Sequence, residues 1–115
     1  MAVTIYHNPR CSKSRQTLQL LTDHGITPKI IEYLKTPPSK EELEQILKML
    51  GVEPRQLMRK QEQEYKTAGL DDPELSRNDL ISAMVQHPVL IERPVVIANN
   101  KAVIGRPPGN VLEII

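Results

Sequence analysis

The residue most able to do chemistry is the one cysteine, Cys11, in the segment His7–Arg15, HNPRCSKSR. A single thiol cannot close an internal disulfide, and a structural zinc site needs more thiol or imidazole ligands than the chain supplies at any usable spacing. Cys11 is therefore either a small buried hydrophobe, the usual fate of a lone cysteine, or a reactive thiol. Its placement favours the second reading. A β-branched apolar run precedes it and a helix-forming stretch begins at Ser12. A helix N-terminus offers unpaired N–H groups and a partial positive charge, which favour a thiolate and also bind oxyanions. Arg10, Lys13 and Arg15 add positive charge close by in sequence. Ser14, three residues on, is placed to donate its hydroxyl to the sulfur across the first helical turn. His7 serves as an acid–base group or as a support for the loop, and Asn8 as a loop cap. Arg59, Arg93 and Arg106 occupy loop or element-end positions and have the planar fork suited to oxyanions; their spacing does not by itself show that they converge.

The elements that must position these groups follow from periodicity. Ala2–Tyr6 is a short buried strand, broken by His7-Asn8-Pro9-Arg10. A helix runs from about Ser12 to His24, with Thr17, Leu18 and Leu21 on one face and Gly25 as its stop. Lys29–Leu34 is a second strand, parallel to the first across the helical crossover. Ser39 with Glu42 forms a capping-box signature before Leu43, Ile46, Leu47 and Leu50, and Gly51 closes that helix. Pro54 to about Lys60 predicts one or two helical turns. Ser76 caps a helix carrying Leu80, Ile81, Met84 and Val85 that ends before Pro88. Val95–Ala98 and Lys101–Ile104 flank Asn99-Asn100, a hairpin turn in which asparagine accepts positive φ. Pro107 or Pro108 opens a terminal helix with Val111, Leu112 and Ile115. The order is β-α-β, a helical insert, then β-β-α: a four-stranded mixed sheet with helices against it.

Composition sets the bounds. The 115 residues suit one domain, with the helical insert at about residues 36–88, and 39% hydrophobic residues suffice for a small core. A net charge of +1 and three tyrosines as the only aromatics disfavour a nucleic-acid partner. The chain shows neither an apolar run of membrane-spanning length nor a basic-then-apolar leader, so the reading is of a cytoplasmic protein without a membrane partner.

HNPRCSKSR resembles the H-N-P-x-C-x-x-S-R signature of the glutaredoxin-linked arsenate reductase family, ArsC. The stretches LMRK (Leu57–Lys60), HPVLIERPVV (His87–Val96) and GRPP (Gly105–Pro108) resemble that family in the same order. The resemblance implies a thioredoxin-like fold with a helical insertion and a cis Arg93–Pro94 bond. It places the nucleophile on Cys11 and the oxyanion-binding arginines on Arg59, Arg93 and Arg106. His7 falls on the helper that keeps the cysteine ionised, and Ser14 on the hydroxyl beside the sulfur; Asn8, Arg15 and Pro94 are supporting positions. It implies arsenate as substrate, no bound cofactor, glutathione as co-substrate, glutaredoxin as partner and a monomeric chain. Two other readings share the fold. A Spx-like regulator that contacts RNA polymerase usually carries C-x-x-C, where this chain has Ser14 as the second member; a monothiol glutaredoxin-like transferase shares C-x-x-S.

Overall fold

The computed structural model describes residues 2–115. It contains four strands, β1 (Val3–His7), β2 (Lys29–Glu32), β3 (Val95–Ala98) and β4 (Lys101–Ile104). Five α-helices are α1 (Ser12–Asp23), α2 (Lys40–Leu50), α3 (Pro54–Leu57), α4 (Gln63–Thr67) and α5 (Arg77–Gln86). Two 3-10 helices cover Pro88–Leu90 and Pro108–Glu113. The sheet order is β2-β1-β3-β4, with β1 parallel to β2 and antiparallel to β3. This is the mixed α/β sheet of the thioredoxin-like class.

The chain divides into two compact units. One comprises residues 1–36 and 93–115, the other residues 37–92. In the first, α1 and the terminal 3-10 helix bury Leu21, Val111 and Ile114 against Val3, Ile5, Val96 and Ala98 of the sheet. Apolar burial stabilises at about 25 cal/mol per Å², so this layer fixes where α1 begins. The β3–β4 hairpin turns at Asn99 (φ 54°) and Asn100 (φ 61°), as the dipeptide requires.

In the helical unit, Ser39 and Glu42 form the expected capping box on α2, and Gly51 closes it in the left-handed region at φ 69°. A second capping box, Ser76 with Asp79, starts α5.

Several elements differ from expectation. The second strand stops at Glu32, because the N–H groups of Lys35 and Thr36 both fold back onto the Glu32 carbonyl. The helix at Pro54 ends at Leu57: Met58 turns extended and bridges Ile91. Helix α4 has no strong apolar period and was not expected. At the C-terminus the 3-10 geometry buries Val111 and Ile114 and leaves Leu112 46% exposed, since a three-residue repeat brings different side chains inward than an α-helix would.

Candidate active site at the start of the first helix

Cys11 is the N-cap residue of α1, with extended backbone (φ −93°, ψ 123°). The preceding loop is tied down by its own side chains. The Asn8 carbonyl accepts from the Cys11 N–H at 3.0 Å. The Asn8 Oδ1 accepts from the Arg10 N–H at 3.0 Å, the local turn that asparagine favours. Arg15, one helical turn beyond Cys11, reaches back to donate to the Pro9 carbonyl at 2.9 Å. The sequence thus builds a rigid cradle around the thiol, and Asn8 and Arg15 act in it as supports.

The sulfur is held at the end of the helix dipole. Burial pushes the Cys11 thiol up, but the backbone N–H groups of Ser14 and Lys13 and the Arg93 guanidinium outweigh it, and the net displacement is downward. An Arg106 Nη lies 3.8 Å from Cys11 Sγ and 3.4 Å from the Arg93 carbonyl. Cys11, Arg93 and Arg106 therefore converge, which spacing alone did not show.

Ser14 is placed differently from expectation. Its hydroxyl sits 2.6 Å from His7 Nδ1 and accepts from the Asn8 N–H at 3.0 Å. It is the Ser14 backbone N–H, not the hydroxyl, that acts on the sulfur. The reason is steric: Ser14 is fully buried on the face of α1 that packs under the end of β1, so its side chain meets His7 rather than the loop mouth. His7, 7% exposed, is shifted below the ordinary histidine range. Burial is the larger cause; Glu32 works against it and Arg15 with it. A neutral ring follows near pH 7.

Arg59 belongs to the helical unit. There its backbone N–H donates to the Leu90 carbonyl at 2.7 Å and its guanidinium pairs with Glu62 at 2.6 Å. The Arg93–Pro94 bond is cis, as the resemblance implied; Arg106–Pro107 is also cis, which was not expected.

Sequence reasoning missed Gly105 and Thr17. The Gly105 N–H donates to the Pro94 carbonyl at 2.9 Å. The buried Thr17 hydroxyl bonds the Lys13 carbonyl at 2.7 Å with the Gly105 carbonyl at 3.3 Å. A Cβ on Gly105 would lie 2.5 Å from Thr17 Oγ1 and 2.9 Å from both Thr17 Cγ2 and Pro94 Cγ. Only glycine lets the Arg106 strand end approach α1 this closely. The signal was the glycine inside GRPP, read for its arginine alone.

The arrangement suits attack by a thiolate on a tetrahedral oxyanion. Guanidinium groups and helix N–H groups lie about the Cys11 sulfur, where they could bind oxygens that gain charge.

Known proteins resemble this chain over nearly its whole length. The chain is 54% identical over 114 residues to the YfgD protein of Escherichia coli K12, covering 98% of this chain and 96% of that one. It is 52% identical over 116 residues to an arsenate reductase of Haemophilus influenzae, covering 100% of both. The solved structure of an arsenate reductase from Vibrio cholerae matches with a TM-score of 0.98 at 53% identity, over 100% of this chain and 98% of that one. The family model of ArsC matches residues 6–114, nearly the whole length. Matched by the family model over residues 6–114 and 52% identical to a full-length relative, the chain belongs to the ArsC family.

Proposed function

We propose that this chain is an arsenate reductase that uses Cys11 as nucleophile and glutathione with glutaredoxin as the source of electrons. The observation that carries the reading is the convergence of Arg93 and Arg106 on a sulfur already biased toward thiolate at the start of α1. Arsenate carries negative oxygens in a tetrahedron, so guanidinium forks and helix N–H groups offset its charge as sulfur approaches. Arg59 is assigned a place among the oxyanion-binding arginines by the family resemblance. The identity to arsenate reductases supports the substrate.

In the first step Cys11 Sγ forms a bond to As(V), and one arsenate oxygen leaves as water after protonation. The chain has no second cysteine, so an external thiol completes the reaction. Glutathione sulfur bonds to Cys11 Sγ; the S–As electron pair passes to arsenic, which leaves as arsenite, As(III). The resulting Cys11–glutathione disulfide is opened by a glutaredoxin thiol, which returns Cys11 as thiolate. Two thiols are oxidised per arsenate reduced. Metal is not required by any step, and the protein works as a monomer in the cytoplasm in this reading.

The test is NADPH oxidation in a mixture of glutathione, glutathione reductase, glutaredoxin and arsenate, run beside Cys11→Ser. Arsenate-dependent turnover that disappears in Cys11→Ser is expected. Equal background rates with and without arsenate in the parent protein overturn the assignment.

A further inference from the structure

The sheet order gives the nucleophile loop two flanks. Arg93 precedes β3 and Arg106 follows β4, so both guanidinium groups come from the β3–β4 flank. On the other flank lies β2, an edge strand. Here a cavity of about 220 Å³ opens between the loop and the end of β2, lined by His7, Asn8, Pro9, Arg10, Glu32, Leu34 and Lys35. Its chemistry differs from that of the arginine flank. It carries both signs of charge, two cations (Arg10, Lys35) and one carboxylate (Glu32), with an apolar wall of Pro9 and Leu34.

Three observations show these groups are built to face one space. His7 and Glu32 are register partners in the parallel β1–β2 pair, so their side chains project from the same face of the sheet. Lys35 is folded back toward Glu32 by the turn that ends β2: its N–H bonds the Glu32 carbonyl at 2.9 Å, and its Nζ lies 3.7 Å from Glu32 Oε1. Leu34 sits on the same turn, 42% exposed, and gives the cavity an apolar wall. The Glu32–Lys35 pair is long and solvated, so a ligand carrying both charges displaces it at little cost.

We propose that this cavity is the docking subsite of the reducing co-substrate: a small amphoteric peptide thiol with two carboxylates and one ammonium. The carboxylates would meet Arg10 and Lys35, the ammonium would meet Glu32, and the aliphatic stem would lie on Leu34 and Pro9. The oxyanion would occupy one flank of the loop and the thiol would arrive from the other, so the two substrates do not compete for the same cations. The inference rests on the reading that such a thiol completes the reaction.

The experiment is a titration of the 15N-labelled protein with S-methylglutathione, which keeps the charges of glutathione and cannot react. Shifts concentrated at Asn8, Arg10, Glu32 and Lys35 are expected. Lys35→Glu, an exposed position, is expected to weaken binding at least about fivefold. Perturbations mapping elsewhere, the absence of binding at millimolar ligand, or an unchanged Kd in Lys35→Glu overturns the subsite. Arsenate turnover without binding at these residues sinks the subsite alone. Binding at these residues without arsenate turnover supports the subsite and sinks the reductase reading.

Discussion

Gly105 gives the sharpest structural prediction. Substituting alanine places a Cβ 2.5 Å from Thr17 Oγ1, with Thr17 Cγ2 and Pro94 Cγ each at 2.9 Å. Normal carbon–oxygen contacts lie near 3.3 Å or beyond, and neither neighbour is a flexible chain end. Thr17 is fully buried with its hydroxyl bonded to α1, and Pro94 is a ring fixed at the head of β3. Overpacking of this kind costs about 1–3 kcal/mol. For a chain of 115 residues, with an unfolding entropy of about 2.1 cal/mol/K per residue, that lowers Tm by about 4 °C per kcal/mol. The cost has an identifiable partner, so a double-mutant cycle isolates it. Thr17→Ala removes two of the three clashing atoms and by itself loses the shared hydroxyl bond, about 1 kcal/mol. Gly105→Ala/Thr17→Ala is therefore expected to be less destabilised than the sum of the singles by about 1–2 kcal/mol. Urea unfolding followed by far-UV circular dichroism measures all four corners. A Gly105→Ala loss under 0.5 kcal/mol, or strict additivity in the double variant, refutes the close approach of the Arg106 strand end to α1.

Other consequences follow from the site and its supports. Arg106→Gln removes a cation 3.8 Å from the sulfur and is expected to raise the midpoint of pH-dependent Cys11 alkylation; an unchanged midpoint would mean the guanidinium does not act on the thiolate. Because the folded pKa of Cys11 is depressed, its ionisation stabilises the fold fully above the unfolded thiol value, about 8.5, and this contribution is lost as pH falls through the folded value. Cys11→Ser should flatten the stability profile in that window. His7 acts in the same sense, over a lower pH window. Its folded pKa is depressed, so the unfolded chain binds the proton first and stability declines as pH falls below about 6.5, until the folded value is passed. His7→Gln should remove that slope, and chemical denaturation at pH 5–7 would reveal a slope that persists. At the hairpin, Asn100→Ala is expected to cost about 1 kcal/mol because alanine resists φ 61°; a stability equal to the parent's would argue against the left-handed turn.

The sequence made the local features legible wherever one residue type has one physical use. Ser39-x-x-Glu42 can do little at a helix start except close a capping box, and Asn99-Asn100 between β-branched runs can do little except turn a hairpin. Cys11 at a strand-to-helix junction was legible for the same reason, since the helix N-terminus is a local consequence of chain order. Long-range choices were not. Nothing local says that Ser14 turns toward His7, because that depends on α1 packing beneath β1. The convergence of Arg93 and Arg106 on Cys11 depends on β3 pairing beside β1, a contact across more than 80 residues. The short second strand was hidden because Tyr33 and Leu34 have strand propensity, and the decision lies in two backbone bonds to the Glu32 carbonyl. Gly105 was visible as a letter, but its meaning required the position of Thr17.

The most direct test of the central claim is to quantify arsenite formed by the purified protein with arsenate, glutathione and glutaredoxin. The same assay is run on Cys11→Ser and Arg106→Gln. The account predicts arsenite in the parent reaction, one per two thiols oxidised, none above background in Cys11→Ser, and a strongly reduced rate in Arg106→Gln. Arsenite production that continues undiminished in Cys11→Ser would contradict it, because the chain has no second thiol to take over the attack.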